Sequence, residues 1–188
     1  MKTNNYIARG EGADRFEKLP ISIYEKPADA VKAVAQEIAE LIRTKATKNE
    51  QCVLGLATGS SPIKLYQELV RMHKEEGLSF RNVVTFNLDE YLPMPKESEQ
   101  SYHYFMHHHL FDHIDIDPAN IHIPDGTLHK EQIEEFCKNY EKAIEAAGGL
   151  DIQILGIGRT GHIGFNEPGS TLSSSTRMVY LNDLTIKD

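Results

Sequence analysis

Four residues of types that carry acid–base chemistry stand near the ends of apolar stretches of the sequence. Asp89 and Glu90 directly follow a β-branched run, and His162 and Glu167 lie in a glycine-rich segment. A carboxylate such as Asp89 could take a proton from a carbon next to a carbonyl or hydroxyl group, provided that burial raises its pKa. An imidazole near a carboxylate, as in His162 and Glu167, could move a proton within a substrate. The structural alternatives are a turn capped by Asp89, a solvated Glu90 and a structural His162.

A further segment of chemical interest is ATGSSP, which covers residues 57–62. Thr58, Gly59, Ser60 and Ser61 stand between an apolar run and an amphipathic segment. At the start of a helix, free backbone N–H groups and hydroxyls could bind an anion such as phosphate. An ordinary turn capped by serine is the structural alternative. The segment lacks the GxxxxGK[ST] pattern, which argues against a nucleotide P-loop.

Two patterns imitate cofactor sites. Gly156, Gly158 and Gly161 have the GxGxxG spacing of a dinucleotide-binding loop, but the segment that follows contains Pro168 and several Ser and Thr residues. It cannot supply the crossover helix that such a loop requires. The histidines at 107–109 suggest a metal cluster, but successive helical residues point about 100° apart and cannot all face one ion. We therefore expect neither a dinucleotide nor a metal.

The elements that would position these segments alternate between strand and helix. Apolar runs predict strands and helical spacing of apolar residues predicts helices. The predicted strands are 21–26, 52–57, 83–88 and 151–158, and the predicted helices are 27–48, 62–76, 101–114 and 130–147. Pro27 can begin the first helix and Ser101 can cap the third.

This alternation predicts an α/β fold, with an open, mostly parallel sheet and helices on both faces in a Rossmann-like, three-layer arrangement. In such sheets, ligands bind beyond the carboxyl ends of the strands. The segments 57–62, 86–95 and 156–170 all follow strands and therefore meet at that edge. Their convergence is the main argument from the residues themselves for a functional site.

Length and charge set limits on the kind of protein. The 188 residues suit one domain, with a polar arm over residues 1–20 and the domain over 21–188. The net charge of -8 argues against nucleic-acid and anionic-membrane partners, because no basic patch offsets it. No stretch approaches the roughly 18 apolar residues of a membrane span. Cys52 and Cys137 form no CxxC pair and no secretory leader is evident, so we expect reduced thiols in a cytoplasmic protein.

Four motifs together resemble one enzyme family. ATGSSP, VVTFNLDEY, SYHYF and GHIGFNEPGS occur in an order and spacing similar to those of the glucosamine-6-phosphate deaminases, from about residue 21 onward. The resemblance implies conversion of glucosamine 6-phosphate to fructose 6-phosphate and ammonia in amino-sugar catabolism, without metal or organic cofactor. It also implies a sugar-phosphate partner. Separately, we expect the chain to form a homo-oligomer. The related 6-phosphogluconolactonases share the fold and a Gly-His loop, so a lactone hydrolase is the alternative enzyme, and a non-catalytic sugar-phosphate-binding module is the third possibility.

The resemblance also implies a role for each candidate residue. His162 would assist opening of the sugar ring, and Asp89 would move a proton from C2 to C1 through an enediol-like intermediate. Glu167 would orient and polarise His162. The substrate-binding positions that the resemblance implies are Thr58, Gly59, Ser60, Ser61, Glu90 and Gly161.

One departure from the family lies beside the candidate histidine. Thr160 stands two positions before His162, where the family commonly has an acidic residue or asparagine. A hydroxyl can form hydrogen bonds but supplies no negative charge. We therefore expect His162 either to be less basic or to depend more heavily on Glu167.

A second departure concerns regulation. Ser170 and Arg177 match positions of an allosteric phosphosugar site in regulated family members, but Val179 and Tyr180 stand where a lysine and a threonine are expected. We therefore expect weak or absent activation by N-acetylglucosamine 6-phosphate.

The third departure is the end of the chain at LTIKD, before the region in which the family places an arginine and a lysine on the substrate phosphate. By this comparison the chain is truncated at its C-terminus, and we expect weak phosphate binding and little deaminase activity from it alone. Absent strands would leave a sheet edge and apolar faces uncovered, which predicts a marginally stable, oligomeric or domain-swapped fragment.

Overall fold

Four parallel strands form the sheet that positions the candidate residues. The computed structural model describes residues 20–182 and Thr185, so the predicted arm over residues 1–20 lies, apart from Pro20, outside the described part. The strands are β1 (Cys52–Leu56), β2 (Val83–Asn87), β3 (Ile121–His122) and β4 (Ile152–Gln153). Their order across the sheet is β3-β2-β1-β4, and every neighbouring pair is parallel.

Four α-helices cover the sheet within residues 20–182. They are α1 (Pro27–Thr47), α2 (Ile63–Glu76), α3 (Tyr102–His109) and α4 (Lys130–Ala146). Proline lies in the first turn of α1, as predicted, where its missing N–H leaves no bond unmade. The Ser101 hydroxyl accepts a hydrogen bond of 2.9 Å from the backbone N–H of Tyr104, which confirms the predicted cap of α3. No helix in the described part of the chain is long and apolar enough to cross a membrane.

The core is divided between the two faces of the sheet because successive strand residues point to opposite sides. Cys52, Leu54 and Leu56 of β1 pack in one cluster with the buried faces of α1 and α2 and with residues of α3. Val53 packs in the other cluster, on the side of α4. Helices therefore lie on both faces of a parallel sheet, which confirms the predicted α/β fold.

Two predicted strands differ from the structure. Residues 21–26 form no strand: Ile21 and Ile23 are more than half exposed, and no sheet pairing reaches them within the described residues. The strand predicted over 151–158 is reduced to Ile152–Gln153. Ile154 still donates to Gly55 of β1 at 2.9 Å, but Ile157 pairs with Ile163 of its own loop and not with the sheet.

Two other boundaries also differ. The helix predicted over 101–114 ends at His109 and is followed by a separate 3-10 turn, Phe111–His113. The prediction did not include β3, whose two residues follow the 3-10 turn Pro118–Asn120. A two-residue strand carries no detectable alternation, and only its pairing with Thr85 and Phe86 of β2 defines it.

A buried hydrogen bond fixes the chain where β1 leads into ATGSSP. The Tyr66 side chain of α2 is fully buried, and its hydroxyl donates to the backbone carbonyl of Ala57. Burial raises the pKa of this phenol, so it stays a donor at every physiological pH. The bond ties the first turns of α2 to the carboxyl end of β1, which sets the position of the intervening loop.

Removal of this hydroxyl should destabilise the protein. In Tyr66→Phe the Ala57 carbonyl loses its buried donor, and we expect the free energy of unfolding to fall by about 1 to 3 kcal/mol. Urea denaturation followed by circular dichroism measures the change. Tyr24→Phe, at an exposed position, is the matched control and should alter stability by less than about 0.5 kcal/mol. Equal stabilities of the two variants would contradict this assignment.

Candidate active site

The candidate residues lie beyond the carboxyl ends of adjacent strands. β1 leads into Thr58 and β2 leads into Asp89, and the backbone N–H of Leu88 donates to the carbonyl of Leu56 at 3.1 Å just past the paired strands. The loop 156–170 follows β4, which pairs with β1 on its other side. The structure thus brings the three predicted segments to one edge of the sheet.

Asp89 packs against the backbone of the loop that contains His162. A β-carbon on Gly164 would lie 3.2 Å from Asp89 Oδ2, and Gly164 has a φ of +58° that favours glycine. Burial of Asp89, together with the negative charge of Glu90, raises its pKa to about 7, although a hydrogen bond from the backbone N–H of Phe165 lowers it. A carboxylate with this pKa can both take up and release a proton near neutral pH.

The loop that carries His162 folds back on itself. The backbone N–H of Gly158 donates to the carbonyl of His162 at 2.8 Å, and that of Gly161 donates to Gly158 at 2.9 Å. Gly161 has a φ of +85°, a left-handed conformation that a side chain would disfavour. Gly161 therefore shapes the turn that presents His162. The loop contains no helix, as the sequence predicted.

Two threonine hydroxyls stand between His162 and Glu167. Thr160 Oγ1 lies 2.8 Å from His162 Nδ1 and donates to Glu167 Oε2 at 3.1 Å. Thr185 Oγ1 donates to Glu167 Oε1 at 2.6 Å and lies 3.3 Å from the same His162 Nδ1. The direct distance from His162 Nδ1 to Glu167 Oε2 is 4.0 Å, too long for a hydrogen bond.

These hydroxyls also stabilise the ionised carboxylate. The hydrogen bond from Thr185, aided by that from Thr160 and by the charge of His162, lowers the pKa of Glu167. Glu167 is therefore a carboxylate at neutral pH, and its contact with His162 passes through hydroxyl groups. Thr185 was not identified from the sequence, since it lies 23 positions after His162 in a segment without motif character.

Glu90 holds the start of α3. Its carboxylate accepts hydrogen bonds of 2.9 Å from the backbone N–H groups of Tyr91, Tyr102 and His103. The last two belong to the first turn of α3, where free N–H groups and the helix dipole favour an anion. Glu90 therefore anchors the start of α3 next to Asp89. Substrate binding by Glu90 stays a prediction.

An aromatic cluster joins the three segments, and the sequence analysis did not identify it. The ring of Phe165 lies 5.1 Å from that of Tyr91 and 5.8 Å from that of Tyr102. The Tyr102 hydroxyl donates to that of Tyr91 at 3.2 Å. Burial raises the pKa of Tyr102, the nearby charge of Asp89 raises it further, and a hydrogen bond with Thr58 opposes the rise. Both tyrosines lie within the family motifs FNLDEY and SYHYF, which was the available signal.

The segment predicted to bind phosphate opens to solvent at the start of α2. Gly59 has a φ of +103°, and the side chains of Ser60 and Ser61 are exposed. No side chain caps the helix at Pro62. The hydroxyls and first N–H groups of this segment are thus placed where an anion could reach them. A cleft of about 540 Å³ is lined in part by Asp89, Glu90, Tyr91 and Phe165, and residues 57–62 are not among its lining residues.

The two residues predicted for a regulatory site lie in contact with each other. The guanidinium of Arg177 donates to Ser170 Oγ at 3.3 Å, to Asn166 Oδ1 at 3.0 Å and to Ser174 Oγ at 3.0 Å. The guanidinium of Arg177 therefore already has three neutral side-chain acceptors, with which a phosphate would have to compete.

The three consecutive histidines of α3 point in different directions. His107 stacks on His103, His108 on Tyr104, and His109 meets the ring of Phe105 edge to face. Among residues 20–182 and Thr185, no group of three His, Cys, Asp or Glu side chains is arranged to hold a metal ion.

Loss of the Glu90 carboxylate should weaken the protein through α3. In Glu90→Ala the first turn of α3 loses an acceptor for two backbone N–H groups, and we expect a loss of about 2 kcal/mol in the free energy of unfolding. Urea denaturation measures it. Glu99→Ala, at an exposed position just before the same helix, should change stability by less than about 0.5 kcal/mol. A Glu90→Ala variant as stable as this control would contradict the anchoring role.

Comparison with known proteins gives consistent results along most of the chain. The model of a family described as glucosamine-6-phosphate isomerases/6-phosphogluconolactonase matches residues 25–183. Among solved structures, a monomeric glucosamine-6-phosphate deaminase superimposes with a TM-score of 0.81 at 41% identity, over 87% of this chain and 66% of the other. A 6-phosphogluconolactonase from Thermotoga maritima superimposes with a TM-score of 0.59 at 26% identity, over 71% of this chain and 58% of the other.

Curated relatives give the same pattern. A putative glucosamine-6-phosphate deaminase-like protein of Bacteroides thetaiotaomicron is 50% identical over 169 residues, which are 90% of this chain and 26% of the relative. Glucosamine-6-phosphate deaminase 2 of Giardia intestinalis is 48% identical over 181 residues, which are 96% of this chain and 66% of the relative. The chain thus spans less than two thirds of the length of these relatives.

Proposed function

Because the chain belongs to the glucosamine-6-phosphate isomerase/6-phosphogluconolactonase family, we propose that it carries the catalytic residues of a glucosamine-6-phosphate deaminase. The observation that carries the proposal is Asp89, held against Gly164 and Phe165 with its pKa raised to about 7. A base of this strength suits removal of a proton from carbon next to a carbonyl, a step that an aldose-to-ketose isomerisation requires. The high identity to proteins named as glucosamine-6-phosphate deaminases supports this reaction.

In this proposal, His162 and Asp89 carry out two different proton transfers. His162 moves a proton from the anomeric hydroxyl to the ring oxygen, which opens the sugar ring. Asp89 takes the proton from C2 of the open chain and returns it at C1, passing through an enediol-like intermediate. Return of the proton at C1 leaves a C=N bond at C2, and addition of water there followed by departure of ammonia gives fructose 6-phosphate. The overall reaction is therefore an isomerisation coupled to hydrolysis of a carbon–nitrogen bond.

Substrate anchoring falls to the start of α2 in this proposal. The N–H groups and hydroxyls of Thr58, Gly59, Ser60 and Ser61 bind the phosphate, where the helix dipole favours an anion. The hydrogen bond between Thr58 and Tyr102 connects this anchor to the surroundings of Asp89. A sugar held at its phosphate presents its other end to the base, which lowers the entropic cost of the reaction.

Other properties of the protein are also proposals. We expect a cytoplasmic location, in keeping with two cysteines that form no disulfide among the described residues. The expectation of a homo-oligomer remains a prediction, and one similar solved protein is described as monomeric.

Substitution of Asp89 tests the proposed chemistry. Asp89→Asn cannot accept the C2 proton, and we expect kcat for ammonia release to fall by about 10²- to 10⁴-fold with little change in KM. In the wild type, kcat/KM should rise with pH through about 7, because only ionised Asp89 acts as the base and burial raises its pKa to about 7. Asp29→Asn, at an exposed position in α1, is the control.

The same assay separates the two enzymes of the family. Opening of 6-phosphogluconolactone without release of ammonia from glucosamine 6-phosphate would favour the lactonase reaction. Binding of the sugar phosphate without turnover of either substrate would favour a binding module.

The surroundings of Arg177 generate a prediction about regulation. Since its guanidinium already donates to three neutral side-chain acceptors, we expect N-acetylglucosamine 6-phosphate to change the initial rate by less than about twofold. Initial rates across a range of glucosamine 6-phosphate concentrations, with and without that ligand, measure the effect. A change from a sigmoidal to a hyperbolic rate curve would refute the prediction.

A further inference from the structure

The three side chains around His162 Nδ1, those of Thr160, Thr185 and Glu167, allow its hydrogen atom to be placed. Glu167 is ionised, and a carboxylate can only accept hydrogen bonds. Thr160 Oγ1 at 3.1 Å and Thr185 Oγ1 at 2.6 Å are the side-chain donors to its two oxygens. A hydroxyl has one hydrogen, so both hydroxyl hydrogens are already engaged with Glu167.

The remaining lone pairs of both hydroxyls face His162. Thr160 Oγ1 is 2.8 Å and Thr185 Oγ1 is 3.3 Å from Nδ1. Two oxygens whose hydrogens point elsewhere can only act as acceptors toward that nitrogen. Nδ1 must therefore carry the hydrogen, and the neutral ring has its lone pair on Nε2.

The opposite edge of the ring lies against Gly158. A β-carbon at Gly158 would come within 2.0 Å of His162 Nε2 and 2.2 Å of Cε1, so a side chain larger than hydrogen would displace the ring. The imidazole is thus held by glycine on one side and by hydroxyls at Nδ1, and its side chain is 17% exposed. This arrangement sets both the orientation of the ring and the nitrogen that is available for proton transfer.

We propose that Thr160 is a positioning residue that links the Glu167 carboxylate to His162 and holds the ring in the Nδ1–H tautomer, with Thr185 as a weaker second link. The proposal rests on the proposed function insofar as Nε2 is the atom that exchanges protons with the sugar. When Nε2 takes up a proton, the chain of hydrogen bonds from Nδ1 through the hydroxyl to the carboxylate stabilises the imidazolium. Thr160 thus couples His162 to the negative charge of Glu167, although its own side chain is neutral.

The tautomer of His162 tests the proposal without any enzyme assay. Two-bond proton–nitrogen NMR spectra of the wild-type protein, recorded at a pH at which the ring is neutral, should show the hydrogen on Nδ1. Thr160→Val keeps the shape of the side chain but removes the hydroxyl, and the Nε2–H tautomer should increase. Thr160→Ser restores the hydroxyl and should keep the Nδ1–H tautomer. Thr47→Val, an identical change at an exposed position, should leave the tautomer unaltered.

Kinetics of the same variants measure the consequence for the reaction. Thr160→Val should lower kcat for ammonia release about tenfold with less than about a twofold change in KM, because the loss concerns proton transfer and not binding. Thr160→Ser should recover most of that loss. Thr185→Val should have a smaller effect than Thr160→Val, because its oxygen is 0.5 Å farther from Nδ1 than that of Thr160 (3.3 Å against 2.8 Å).

The NMR and kinetic measurements distinguish failure of the positioning role from failure of the proposed reaction. A wild-type ring with its hydrogen on Nε2 overturns the proposal, and this result needs no variant to fold. A folded Thr160→Val protein with an unchanged tautomer overturns it as well, even if ammonia is released at normal rates. A tautomer that shifts as expected supports the positioning role whether or not ammonia is released, and absence of ammonia release from a chain of the relatives' full length refutes the proposed reaction.

Discussion

The site depends on the contact between one carboxylate and the backbone of one loop. Asp89, at the end of β2, lies against Gly164, whose missing side chain lets the loop approach. The resulting loss of solvent, with the charge of Glu90, raises the pKa of Asp89 to about 7. As pH rises from the ordinary carboxyl pKa of 3.8 to about 7, the folded state loses stability, because the unfolded chain ionises first and solvates the carboxylate better. The contact is therefore useful for proton transfer and unfavourable for stability, as is common at functional sites.

Patterns of several residues predicted the fold and the meeting of the three segments. Each of β1 and β2 is a buried apolar run, and helical spacing marks α1, α2 and α4 clearly, so the parallel layered sheet follows from their alternation. The prediction was wrong for residues 21–26 and for most of 151–158, because an apolar run indicates a strand only where a neighbour is available for pairing. β3 was missed because two residues carry no pattern.

Within the site, sequence reasoning predicted residues by their chemistry but not by their partners. Asp89, His162 and Glu167 stand out because their types suit proton transfer. The bridging position of Thr160, the participation of Thr185 and the ring contact between Phe165 and Tyr91 depend on distances between separate segments. Such distances follow from loop geometry that no local spacing encodes. The sequence did show that a charge was absent at position 160, and the geometry supplies the hydroxyl bridge in its place.

Glu90 gives the neighbouring base a constant electrostatic environment. Because its two oxygens accept hydrogen bonds from the backbone at the start of α3, its negative charge is held at a set separation from Asp89. The acidity of Asp89 is thereby coupled to the position of an entire helix. A distant substitution that shifted α3 along its axis would change the proton affinity of Asp89 without altering any of the residues proposed to bind the substrate.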